Sequence, residues 1–144
     1  MSPQEIQLVR DSFNKIAPIA DQAAALFYTR LFELDPSLRS LFHGDMAAQG
    51  RKLIQTLALC VGSLDRLTAI VPAVRELGRR HVAYHVREEH YETVGSALLW
   101  TLEKGLGADF TAAVSSAWSK VYWVLAETMK AGARDAAAQK ARVA

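Results

Sequence analysis

From Ile6 to Met129 the apolar residues of this chain return at steps of three and four, and no stretch alternates apolar with polar as a half-buried strand would. That periodicity leaves little besides helices packed on one another. Ser2-Pro3-Gln4-Glu5 has the form of a capping box with proline at the first helical position, and opens a helix whose stripe is Ile6, Val9, Phe13 and Ile16. Pro18 breaks it. A second helix is expected from about Asp21 to Leu34, with Ala24, Phe27, Tyr28, Leu31 and Leu34 facing inward. Asp35-Pro36 stops it and can start a short turn through Leu41. Phe42-His43-Gly44-Asp45 reads as a loop, with Asp45 as N-cap of a helix from about Met46 to Leu64. The next helix carries Ile70, Val74, Leu77, His81 and Tyr84 on one face, with Pro72 near its start or kinking it. After a polar corner at His85 to Glu89, a helix of roughly His90 to Leu106 presents Tyr91, Val94, Leu98, Leu102 and Leu106. The last begins near Asp109 and carries Phe110, Val114, Trp118, Val121, Leu125 and Met129.

Length and charge narrow the reading. A chain of 144 residues buries a core without staples. We expect one domain over residues 1–130, followed at 131–144 by an alanine-rich extension that continues the last helix or frays. Cys60 is the single cysteine, which allows no internal disulfide and fits a reducing compartment. The net charge of +2 is carried by dispersed basic residues, so no nucleic-acid partner is expected. The opening MSPQEIQ lacks the charged and apolar regions of a signal peptide. The longest uncharged apolar stretch, Leu53 to Leu64, is too short to span a bilayer. A cytoplasmic protein with no membrane partner is the expectation.

Two stripes each hold one polar residue, Gln49 and His81, and Tyr28 adds a hydroxyl to a third. An unpaired polar group on an apolar face costs roughly 1–3 kcal/mol, so each needs a partner: a backbone carbonyl, another side chain, or a metal. His43, His85 and His90 fall in loops or corners, and no acidic or cysteine residue has ligand spacing to His81, so a protein-only zinc site is not available. One neutral imidazole is nevertheless enough for haem, because the porphyrin fills the equatorial positions. From spacing alone, a core histidine bonded to backbone and a haem ligand both remain open.

A set of ordered motifs goes further. Phe27-Tyr28, Asp35-Pro36, Leu41-Phe42, Gln49-Gly50-Arg51-Lys52-Leu53, Leu77-Gly78-Arg79-Arg80-His81, His90-Tyr91-Glu92-Thr93-Val94-Gly95 and Ala117-Trp118-Ser119-Lys120-Val121-Tyr122 occur in this order. Over about residues 3 to 130 the chain resembles the globins, most closely single-domain bacterial haemoglobins and the haem domain of flavohaemoglobins. The resemblance implies an all-α globin fold of about seven to eight helices around a haem b pocket. It implies His81 as proximal iron ligand, Phe42 packing on the haem face, and Gln49 and Tyr28 as the distal polar pair. Leu53 would be the apolar wall beside the gas, and Tyr91 and Val94 would line the cofactor. Lys52, Arg79 and Arg80 become candidate partners for haem propionates, and no catalytic residue is assigned.

The resemblance further implies reversible binding of dioxygen, with carbon monoxide and nitric oxide as other ligands, in a monomer or homodimer. A nitric oxide dioxygenase served by a separate reductase and a haem-based gas sensor are the alternatives. Two departures stand out. Relatives carry a glutamate near the proximal histidine. Counted from Trp118 that position falls at Gly132 or Ala133, while Glu127 comes earlier and Asp135 later. The outer imidazole N–H is therefore expected to bond the Leu77 carbonyl. Trp123 stands where relatives often have glycine.

Overall fold

The computed structural model describes residues 1–143, with side chains through Gln139. Among the described residues six α-helices are joined by four short 3-10 segments, where about seven to eight helices were expected. The helices are α1 (Pro3–Ile16), α2 (Ala20–Leu34), α3 (Met46–Gly62), α4 (Leu67–Ala83), α5 (Glu88–Leu106) and α6 (Ala112–Val143). No strand occurs among the described residues. The short element after Asp35 is a 3-10 segment, Pro36–Leu41, capped by the Asp35 carboxylate, which accepts from the Ser37 N–H at 3.1 Å.

The local signals explain the ends. The capping box closes reciprocally: the Glu5 N–H donates to Ser2 Oγ at 3.2 Å and the Ser2 N–H to Glu5 Oε1 at 3.0 Å. The hydrogen bonds from Ser2 and the Lys120 ammonium hold the Glu5 carboxyl at about 2, with Lys120 the larger cause. Asp45 caps α3 by accepting from the Ala47 N–H. Helix α5 begins two residues before the expected His90. The buried His90 ring reaches back, its Nδ1 accepting from the Arg87 N–H at 2.9 Å, so the histidine secures the first turn rather than preceding it. Gly107, at φ 56°, ends α5 in a conformation that favours glycine.

Two inward expectations fail at helix ends: Tyr84 is the C-cap of α4 and 56% exposed, and Leu34 ends α2 at 41% exposed. Phe110 packs on the core as expected but lies outside α6, before its first turn. Pro72 sits inside α4 without ending it. Helix α6 runs unbroken through the alanine-rich segment.

The core forms where α1 lies on α6 and α2 on α5 and α3. Val9, Phe13, Phe27, Leu31, Leu98, Leu102, Trp118 and Val121 are buried together there, and Cys60 is buried beside them on α3. Trp118 is the largest fully buried side chain, and its Nε1–H donates to the buried Ser12 hydroxyl at 2.7 Å. That hydroxyl is free to accept because its own proton goes to the Leu8 or Val9 carbonyl of the same helix. Ser12→Ala leaves the indole N–H unpaired in an apolar core. The substitution is expected to lower unfolding stability by about 1–3 kcal/mol, read as a reduced urea midpoint at unchanged helicity.

Candidate functional site

Helices α3 and α4 are neighbours in sequence but barely touch. Helix α4 lies on α6 instead, in the most extensive helix pair of the molecule. Leu41 and Phe42 from the connection, Met46, Leu53 and Leu57 from α3, and Val94 from α5 pack on the core but are only half-covered. Half-covered apolar side chains beside two diverging helices leave room for a flat apolar body. Behind Leu53 lies an apolar cavity of about 20 Å³, lined also by Phe27, Leu57, Leu98 and Trp118.

One wall is polar at a single point. Tyr28 is buried on α2, its ring edge-on to Phe42 at 5.4 Å and to Phe27 at 5.0 Å. Burial pushes its phenol pKa up, and the Gln49 side chain beside the hydroxyl opposes that rise. The two polar residues singled out on separate stripes thus lie near each other, with no hydrogen bond formed between their side chains. Gly50 makes the approach of α3 to α2 possible, since a Cβ there would crowd the Ala24 methyl at 2.8 Å.

On α4, His81 is half-buried and its Nδ1 lies 2.7 Å from the Leu77 carbonyl oxygen, the bond expected from the sequence. A carbonyl only accepts, so Nδ1 carries the proton and Nε2 the lone pair. Among the described residues Nε2 makes no hydrogen bond. Burial lowers the ring's pKa, with the Leu77 bond opposing it more weakly, so the neutral form prevails. A neutral imidazole with its outer N–H engaged and its Nε2 free is the donor that an axial position on iron requires. No group of three or more His, Cys, Asp or Glu could hold an ion among the described residues. A metal that arrives in its own macrocycle and asks for one protein ligand fits this donor set.

The remaining candidates divide. Val94 joins the half-covered wall. Tyr91 is buried, yet its hydroxyl has no hydrogen-bond partner. Lys52 and Arg80 are exposed, Arg80 reaching Glu76 at only 4.0 Å, whereas Arg79 turns toward Asp135 at 3.9 Å. His43 and His85 are exposed.

Sequence reasoning missed Lys130. Its ammonium lies 5.7 Å from the Tyr91 ring centroid and 5.4 Å from that of Trp123, with the side chain 14% exposed. A lysine opening an alanine-rich run reads as solvated, and only the packing of α6 against α5 adds the Tyr91 ring to that of Trp123 on its own helix.

Comparison with known proteins agrees with this geometry. A family model described as Globin matches residues 25–129, so the chain belongs to the globin family, haem proteins that bind diatomic gases. It is 28% identical to a neuroglobin of Tetraodon nigroviridis, over 92% of each chain. It is 30% identical to a flavohemoprotein of Xylella fastidiosa over 90% of this chain, which spans only 33% of that relative's length. Among solved structures it superposes with TM-score 0.88 and 30% identity on an engineered carbene transferase assigned as a nitric oxide dioxygenase from Rhodothermus marinus. That match covers 98% of this chain and 99% of the other. No single described helix is long and apolar enough to cross a membrane.

The lowered His81 pKa carries a stability signature. The folded state keeps the ring neutral while the unfolded ring takes up a proton near its ordinary 6.5, so acidification through that value favours unfolding. The haem-free protein is expected to lose urea stability as the pH falls below about 6.5. His81→Gln is expected to flatten that slope, leaving the steeper losses below the carboxylate range, where Glu5, Asp35 and Asp65 titrate.

Proposed function

We propose that this chain is a haem b protein that reversibly binds dioxygen, with His81 as the proximal iron ligand and Tyr28 and Gln49 as donors to the bound gas. The observation that carries this reading is the His81 imidazole: neutral, fixed in one tautomer by Leu77, and with an unpaired Nε2 beside a half-covered apolar gap. When bound, the haem supplies the iron site at which a diatomic gas coordinates. Every other requirement falls to the protein. The Leu77 carbonyl holds the imidazole N–H and so aims Nε2. Phe42, Leu53 and Val94 offer apolar surface for the porphyrin and keep water from it. Lys52 and Arg80, exposed at the edges of α3 and α4, are available to pair with its carboxylates at the surface.

The polar pair gives the reading its selectivity. The haem would leave bound dioxygen partly negative, and the Tyr28 hydroxyl and Gln49 amide, as preplaced donors in a dry pocket, would stabilise that charge. Carbon monoxide would carry less of it. The Tyr28 O–H and the Gln49 amide N–H are both donors, and a coordinated gas would relieve the cost of burying them. The purified protein is expected to take up haemin and show a Soret band, and failure to do so overturns the proposal. Tyr28→Phe and Gln49→Leu are each expected to speed dioxygen loss on the order of 10-fold, the cost of one charge-assisted hydrogen bond. Carbon monoxide loss should change far less, and equal changes for both gases would argue against distal donation.

The Rhodothermus marinus neighbour and the flavohemoproteins favour a second reading, nitric oxide dioxygenation. Nitric oxide and dioxygen combine to nitrate, and one electron per turnover must be returned to the iron, so a reductase partner belongs to this reading. The distal pair would serve it equally, by holding dioxygen until nitric oxide arrives. Sustained nitric oxide consumption with a reductase present is the expected result for an enzyme. Consumption that stops at one equivalent per haem favours gas binding alone.

A further inference from the structure

Gly78 of α4 faces the backbone of Met129, and Gly132 of α6 faces the backbone of Arg75; a Cβ on either glycine would overlap the carbonyl opposite. The contact is reciprocal, with each glycine three residues after the carbonyl that receives its partner. Asp135, one turn beyond Gly132, accepts from the Arg75 guanidinium and lies 3.9 Å from that of Arg79. Arg134 beside it donates to Glu88 at the start of α5 at 2.8 Å. Between Arg75 and Gly78 stands Leu77, whose carbonyl takes the His81 N–H.

We propose that Gly132 and Asp135 of α6 are positioning residues for His81: they clamp the α4 turn from Arg75 to Gly78 against α6 and so set the direction of the Leu77 carbonyl that aims the imidazole. The proposal rests on the reading of His81 as the iron ligand. Where related globins hold the proximal ring with a carboxylate, this chain has a glycine at backbone contact and an alanine beside it. The ring is therefore oriented at one remove, through the backbone of its own helix. Packed backbones are stiff, because neither side has a rotamer to yield. The ion pairs at Asp135 are half-exposed and add little stability themselves. Their part is to keep α4 from sliding along the glycine contact.

The test uses the full-length haem-loaded protein and the iron–histidine stretching band of its ferrous, gas-free form. Gly132→Ala puts a methyl where the Arg75 carbonyl stands. It is expected to shift or broaden that band and to speed haem loss to an acceptor apoglobin on the order of tenfold, with the Soret band and helicity retained. Asp135→Asn, which keeps the shape, is expected to shift the band the same way by less. Ser116→Ala, exposed elsewhere on α6, is expected to leave it alone. In His81→Gly protein loaded with haem and free imidazole, Gly132→Ala is expected to have no effect on the band, since the ligand is no longer tied to α4.

An unchanged band and unchanged haem loss in folded Gly132→Ala protein overturn the clamp. If that variant does not fold, an unchanged band in Asp135→Asn overturns it. The underlying assignment fails separately: His81→Gly protein that gives the wild-type spectrum without imidazole shows that His81 is not the ligand, whatever the clamp variants do.

Discussion

The backbone of α4 meets the backbone of α6 at two glycines, and much of the remaining architecture follows from that contact. Helix α3 leaves the core through a 3-10 turn, Leu64–Arg66, and a helix following so closely would ordinarily fold back on it. Here α4 is drawn to α6, where the missing Cβ atoms of Gly78 and Gly132 allow an approach no other residue permits. The space that α3 and α4 would have closed between them stays open, and the apolar residues along it stay half-covered. A monomer that leaves such a face uncovered invites an occupant. For a globin the occupant is haem.

The two sides of that space are built on opposite polar principles. On the α2 and α3 side two neutral donors, Tyr28 and Gln49, come from different helices and lie near each other where Gly50 lets those helices approach closely. On the α4 side the His81 ring, among the described residues, is hydrogen-bonded to a backbone carbonyl one turn away in its own helix. A carboxylate there would push the imidazole toward imidazolate and strengthen its donation to iron. A carbonyl holds the ring without that push. Helix α6 instead holds a cation, Lys130, over Tyr91 and Trp123, paired with Glu127 of the same helix at 3.3 Å. Under the proposed reading of His81 as the iron ligand, an imidazole held this way would suit a centre that binds and releases gas better than one that must break an oxygen–oxygen bond.

Much of the fold was legible because its determinants are local. The capping box at Ser2, the Asp45 cap and the three-and-four periodicity act within a few residues, and α1, α2 and α3 begin within a residue of where those signals put them. Misplacements arose where a stripe ran past the end of its helix. Tyr84 and Leu34 keep the phase of the residues before them, but at a terminus phase no longer decides burial. His90 was misread for a different reason. Its ring acts on the backbone behind it, a capping role that serine or glutamate would have advertised and histidine does not. Trp123 stood out as a departure in the sequence, yet its partner Lys130 is seven residues away along α6 and its other neighbour, Tyr91, is on α5.

By itself the sequence determined most of the helical segments and which three polar side chains interrupt apolar faces, and it placed a carbonyl within reach of His81 four residues before it, a bond expected once the family resemblance showed the glutamate to be missing. Each of these depends on geometry internal to one helix, and helix geometry is the same in every protein. Only the tertiary structure decided that Tyr28 and Gln49 lie near each other, that α3 and α4 part, and that residues 129–135 press on the turn preceding His81. Those outcomes depend on how closely two axes approach and at what angle they cross. That is set by the summed volumes of side chains far apart in sequence, and at the decisive points by the absence of any side chain at all.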